Sequence, residues 1–176
     1  AAGKGTRAGQ SVPKQFALWR GKPVVRHAVE ALIAAGAEKI AVAIPADCNE
    51  LATEALAGLD GVHLVAGGET RQRSVHLALE TLDGVAEAVL IHDAARPDLP
   101  QEVVERLLAA LHYHPGAIPV LPVVDSLAID DAGMMSGTAQ RESLRRVQTP
   151  QAFRFTDILA AHRDWSGEAS AGDDAQ

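Results

Sequence analysis

Apolar residues recur along this chain in two alternating rhythms, and the alternation predicts the fold class. In PVVRHAVEALIAAG (23–36) they fall three and four positions apart, the spacing of one helix face. Pro23 near the start and Gly36 just past the end are the punctuation of a helix. KIAVAIP (39–45) then reads as a buried strand. The rhythms repeat as a helix in NELATEALAGL (49–59), a strand in VHLVAG (62–67) and a helix in TRQRSVHLALETL (70–82). A strand in AVLIHD (88–93), a helix in PQEVVERLLAALHY (100–113) and a strand in AIPVLPV (117–123) complete the series. Strand and helix in turn predict crossover units, hence an α/β fold with a mostly parallel sheet and helices on both faces.

The rhythm breaks over residues 125–148. SLAIDDAGMMSG carries a turn signal in DDAG between weakly periodic flanks, which predicts a hairpin arm leaving the body. RFTDILAAHRDW (154–165) resumes a helix, and SGEASAGDDAQ is polar and loop-like. The expected organisation is one domain over residues 1–176 with this protruding arm. The chain begins at Ala1 without an initiator Met and stops at Gln176 just after an acidic pair, so a segment truncated at both ends of a longer protein is expected.

Composition sharpens this picture. With 47% hydrophobic but only 3% aromatic residues, the core is built from Ala, Val, Leu and Ile. A formal net charge of −7 argues against a broad footprint on nucleic acid or anionic membrane, so an anionic ligand has to be held by a local cluster. The single cysteine, Cys48, forms no internal disulfide and fits a reducing cytoplasm. No apolar run is long enough to span a bilayer, and a soluble protein is expected.

Polar clusters fall where ligands gather in open α/β sheets, beyond the carboxyl ends of strands. In AAGKGTR, small residues let backbone N–H groups approach an anion closely, and Arg7 and Lys14 add the cations that phosphoryl or nucleotidyl transfer requires. The plainer reading is a tight glycine turn and a solvated lysine. In GGETRQRS, Ser74 could hydrogen-bond a base edge; alternatively Thr70 caps a helix and Arg71 and Arg73 are solvated. In HDAARP, Asp93 could hold magnesium or accept from a substrate hydroxyl while Arg96 meets a phosphate; alternatively the two pair with each other. His92 reads as a packed loop residue, and His112 and His114 as helix-end residues with no metal role.

AAGKGTR with PKQF, then GGETRQRSV, IHDAARP and VQTPQAF, in this order and at these separations, resemble the 2-C-methyl-D-erythritol 4-phosphate cytidylyltransferases over nearly the whole chain. The resemblance implies a Rossmann-like nucleotidyltransferase fold and an enzyme of non-mevalonate isoprenoid biosynthesis. That enzyme joins CTP to methylerythritol phosphate with Mg2+, releases pyrophosphate, and works as a cytoplasmic homodimer whose arms interlock. It further implies that Ala2, Gly3 and Gly5 line the triphosphate and that Arg7 and Lys14 stabilise the pentacoordinate phosphorus. Gly68 and Ser74 would recognise cytosine, with Arg71 ordering their loop, and Asp93 and Arg96 would lie on the sugar and phosphate side. Asp125, Ser126 and Arg141 would reach the methylerythritol phosphate held by the neighbouring subunit.

The chain departs from the family at Asp125-Ser126-Leu127-Ala128, where a lysine is usual in place of Ala128, and at Gly172-Asp173-Asp174, where Thr-Asp-Asp is usual. Ribitol 5-phosphate cytidylyltransferases share the loop, PKQF and QTPQ, but tend to carry Val in place of Ala95. Two further alternatives are the amino-terminal half of a fusion with a cyclodiphosphate synthase, and a CTP-binding module without catalysis.

Overall fold

The computed structural model describes Ala2, residues 13–165, Asp174 and Ala175. A 3-10 turn, Lys14–Phe16, opens the continuous part and is pinned by the buried side chains of Gln15 and Phe16. A short hairpin of β1 (Leu18–Trp19) and β2 (Lys22–Pro23) leads into α1 (Val24–Ala34). Val25, Ala28, Val29 and Leu32 are the buried stripe of α1, at the i, i+3, i+4, i+7 spacing of one helix face.

β3 (Ile40–Ile44) and β4 (Val62–Ala66) flank α2 (Asn49–Ala55) and pair in parallel, from Ile40 opposite Val62 to Ile44 opposite Ala66. α3 (Arg71–Glu80), β5 (Ala88–Ile91) and α4 (Gln101–Ala110) follow, then the short strands β6 (Gly116–Ala117) and β7 (Val120–Pro122). β8 (Ala128–Asp131) and β9 (Met134–Thr138) form a hairpin. β10 (Arg145–Val147), β11 (Gln151–Arg154) and α5 (Phe155–Asp164) close the described elements.

Two faces of the sheet are covered, which the alternation along β3 makes visible. Ile40, Val42 and Ile44 pack with Val25, Val29 and Leu32 of α1 and Ala52 and Ala55 of α2. Ala41 points the other way, toward the cluster of Leu79, Ile91, Phe153, Phe155, Ile158 and Leu159 that joins α3 to α5. Leu107 and Leu111 of the α4 region cover Ala152. Each such Leu, Ile or Phe removed from water stabilises the fold by about 1.5–3 kcal/mol.

The α/β architecture follows the sequence pattern, whereas the expected mostly parallel sheet is met among the described residues only at β3–β4. β11 lies between β5 and β6 and runs antiparallel to both, so β5 and β6 never touch as a parallel pair. The expected strand over 117–123 is likewise two strands. β6 pairs with β11 and β7 with β10, and they part at Ile118-Pro119, where the proline has no N–H for a ladder. The Pro119 carbonyl instead accepts from the backbone N–H of Gln148 at 2.9 Å.

The hairpin at residues 128–138 turns through Ala132 and Gly133, both at positive φ (51° and 86°). This two-residue reversal matches the twist of the strands it joins, and glycine adopts it at no steric cost. Every residue of β8 is exposed, as are Met134 and Met135 of β9. Among the described residues, no helix is long and apolar enough to cross a membrane.

Candidate functional site

The loops after β4 and β5 meet beside the amino end of α3. Gly67 marks the closest approach: its N–H donates to the Ile44 carbonyl at 2.8 Å, and a Cβ there would collide with the Cβ of Ala2. Only a glycine lets the ends of β3 and β4 and Ala2 converge at this point. Ala2 therefore lies against the Gly67-Gly68 loop; Gly3, Gly5 and Arg7 lie outside the described residues.

Ser74 is 5% exposed, and its hydroxyl is used within the loop. It accepts from the Gly68 N–H at 3.0 Å and lies 2.8 Å from the Thr70 carbonyl and 3.3 Å from that of Gly68. Thr70 caps α3 by accepting from the Arg73 N–H at 3.0 Å, so the plainer of the two sequence readings describes this turn. Arg71 departs from that reading: it is ion-paired rather than solvated, with Nη2 2.6 Å from Asp174 Oδ2.

The HDAARP loop is closed by its own polar groups and by the segment entering β11. Arg96 Nε donates to Asp93 Oδ2 at 3.1 Å, and Arg96 Nη1 donates to Gln148 Oε1. The Asp93 N–H donates to Thr149 Oγ1 at 3.2 Å, and that hydroxyl lies 3.1 Å from His92 Nδ1. His92 Nε2 faces the Arg96 carbonyl at 2.9 Å. Burial pushes the His92 pKa below its ordinary value. A neutral ring donating from Nε2 and accepting at Nδ1 satisfies the whole chain of bonds. His92 is thus a loop lock, and the peptide bond between Thr149 and Pro150 is cis.

Asp93 is 40% exposed in its side chain and stands between two guanidinium groups, with Arg71 Nε 3.9 Å from Oδ1 and Arg96 on Oδ2. Two cations facing one carboxylate oppose a dication there. Among the described residues no group of three or more His, Cys, Asp or Glu is placed to hold a metal. The described residues do not fit a magnesium ion held by the protein, whereas a carboxylate oxygen can accept from a ligand hydroxyl.

Lys14 is exposed on its 3-10 turn, which packs against α1 and α2. Asp125, Ser126 and Arg141 are exposed and belong to the arm. Arg141 Nη1 donates to the Val124 carbonyl at 2.9 Å and Nε pairs with Glu142 at 3.2 Å. A cleft of about 470 Å³, lined by Pro122, Val123, Val124, Arg141, Glu142 and Arg145, lies at the base of the arm. None of these lining residues belongs to the Asp93 group. Sequence reasoning gave no individual role to Gln148, Thr149 or Asp174. The first two sat in view within QTPQ but bond residues more than fifty positions earlier, and Asp174 lies in a stretch with no apolar rhythm.

An α/β body with glycine-loop and charged-loop groups at the strand ends is the frame of a nucleotide-type site. A family-level match to 2-C-methyl-D-erythritol 4-phosphate cytidylyltransferase spans residues 1–176. The chain belongs to this family. It is 64% identical, over its whole length, to the bifunctional enzyme IspD/IspF of Novosphingobium aromaticivorans, and spans 46% of that protein. It is 48% identical to the 2-C-methyl-D-erythritol 4-phosphate cytidylyltransferase of Cereibacter sphaeroides, with 97% of this chain and 77% of that protein covered. The crystal structure of the enzyme of that name from Thermus thermophilus superposes with a TM-score of 0.76 at 33% identity, over 93% of this chain and 77% of that one. The bifunctional IspDF of Campylobacter jejuni gives a TM-score of 0.81 at 26% identity, over 99% of this chain and 44% of that one. The chain thus spans about half the length of the bifunctional relatives it matches.

Proposed function

We propose that the protein carrying this chain transfers the cytidylyl group of CTP to 2-C-methyl-D-erythritol 4-phosphate and releases pyrophosphate. The observation that carries the reading is the bracket of Asp93 between Arg71 and Arg96, next to the Gly67–Ser74 loop, in a chain matched end to end by the family. A phosphate oxygen of methylerythritol phosphate attacks the α-phosphorus of CTP in line; the new P–O bond forms as the bond to pyrophosphate breaks. The nucleophile is already an anion, so the protein's work is positioning and charge neutralisation.

In this reading the opening loop with Ala2, Gly3 and Gly5 wraps the triphosphate, and Arg7 and Lys14 meet the charge that develops on the α-phosphoryl oxygens. The Gly68 backbone presents the cytosine edge, with Ser74 acting through it because its hydroxyl is already bonded to that loop. Asp93 accepts from a sugar hydroxyl, and Arg96 faces phosphate. A magnesium ion brought in with CTP would offset part of the triphosphate charge.

The arm supplies Asp125, Ser126 and Arg141 to the polyol phosphate of a neighbouring copy in a homodimer. Its exposed Ile129, Met134 and Met135 support a covered surface there. A lone reduced cysteine supports a cytoplasmic setting, and the relatives' names support a second enzymatic part in the parent protein. The test is pyrophosphate release by the full-length protein with CTP and either methylerythritol phosphate or ribitol 5-phosphate. A preference for the first of at least tenfold in kcat/KM is expected. Preference for ribitol phosphate, or CTP binding without turnover, overturns the assignment.

A further inference from the structure

Asp174 carries a deeply buried carboxylate that the reading above leaves without a task. Its side chain is 2% exposed, with Oδ2 2.6 Å from Arg71 Nη2 and Oδ1 3.8 Å from His162 Nε2. Its backbone N–H donates at 3.0 Å to Oε1 of Gln151, a fully buried residue opposite Ile91 of β5. One residue near the end of the chain thereby ties α3, α5 and β11 together. A carboxylate so buried is costly unless a cation compensates it. Burial holds the His162 pKa below its ordinary value, so that ring stands neutral at neutral pH. Arg71 is the compensating charge.

The same guanidinium also faces Asp93, and the two distances differ in kind. Nη2 is at ion-pair contact with Asp174, whereas Nε stops 3.9 Å from Asp93 Oδ1, beyond hydrogen-bond range. Asp93 Oδ2 is taken by Arg96. Among the described residues no hydrogen bond reaches Oδ1, so one oxygen of Asp93 stays available to a ligand. We propose that Asp174 is a positioning residue: it draws Arg71 back into the body, fixes the first turn of α3, and keeps the guanidinium from closing on Asp93 Oδ1. Without the Asp174 charge, Arg71 swings onto Asp93 and a nucleotide hydroxyl has to compete with it. The inference rests on the CTP site proposed above and adds a residue to it.

The test uses the full-length protein and Asp174→Asn, which keeps the shape and removes the charge. The KM for CTP should rise about tenfold, the size expected on losing a charge-assisted contact, with the KM for methylerythritol phosphate within twofold of wild type. Asp174→Glu, which restores the charge, should give a CTP KM closer to wild type than Asn does. In an Arg71→Gln background, Asp174→Asn should add little further, because the two act as one unit. A folded Asp174→Asn enzyme with unchanged CTP KM overturns the inference alone. So does a loss spread equally over kcat and both KM values with a lowered melting temperature, which marks a structural role. Wild-type protein that never turns over CTP removes the proposed function, and the inference with it. Should Asp174→Asn fail to fold, Asp174→Ser, smaller and also uncharged, carries the test: the same selective rise in CTP KM is expected, and an unchanged value overturns it.

Discussion

The strand-end loops and the arm hold similar polar residues in opposite ways. Around Asp93, each charged group is fixed by others of the same chain: Arg96 by Asp93 and Gln148, Arg71 by Asp174, and the loop backbone by Thr149 and His92. In the arm, Asp125, Ser126 and Arg141 are exposed, and Arg141 is held by a backbone carbonyl and a neighbouring Glu142. Exposed pairs of this kind contribute little to stability. The difference teaches that the strand-end residues are organised by contacts reaching far along the chain, whereas the arm residues stand exposed and Arg141 is held only by near neighbours in the fold.

Kinetics can break that division. Lys14→Ala should have the largest effect, lowering kcat by roughly 10²–10³ with little change in melting temperature, the cost of one transition-state donor. An unchanged kcat in steady-state assays removes Lys14 from the reaction. Arg141→Ala comes next: the KM for methylerythritol phosphate should rise roughly tenfold or more while the KM for CTP stays level, as for loss of one charge-assisted contact. If both KM values rise together, the arm and the body are one coupled site and the comparison fails.

The smallest effect belongs to a pair outside both regions, which serves as a control. Arg163, and then His76, bond the Glu80 carboxylate and hold its pKa at about 2. A carboxylate depressed on folding adds stability above its unfolded pKa and loses it as pH falls through the folded value. Wild type should therefore lose more thermal stability than Glu80→Gln between about pH 5 and about pH 2, with activity at neutral pH the same in both. Equal acid sensitivity in melting curves means the pair does not act in solution.

Much of the body was legible in the chain because its signals are local. The stripe of α1 and the alternation of β3 come from spacings within a dozen residues, and the DDAG turn from Gly133 at the reversal itself. The candidate loops were legible for the same reason, since Gly67, Asp93 and Arg96 sit where strands stop. Which of two roles each residue takes was not legible. Arg71 and Arg73 look alike in GGETRQRS, yet Arg71 meets a buried carboxylate while the backbone N–H of Arg73 meets the Thr70 cap.

By itself, the sequence determined the α/β class, the helices, the strands β3, β4 and β5, the position of the arm hairpin and the family. All of these rest on short-range periodicity or on ordered motifs. Tertiary structure decided that β11 separates β5 from β6, that AIPVLPV divides between two partners, and that Asp174 reaches Arg71 across more than a hundred residues. Strand pairing and buried ion pairs depend on which distant groups packing brings within a few ångströms. Hydrogen bonds and desolvation then select among contacts that local spacing leaves equivalent.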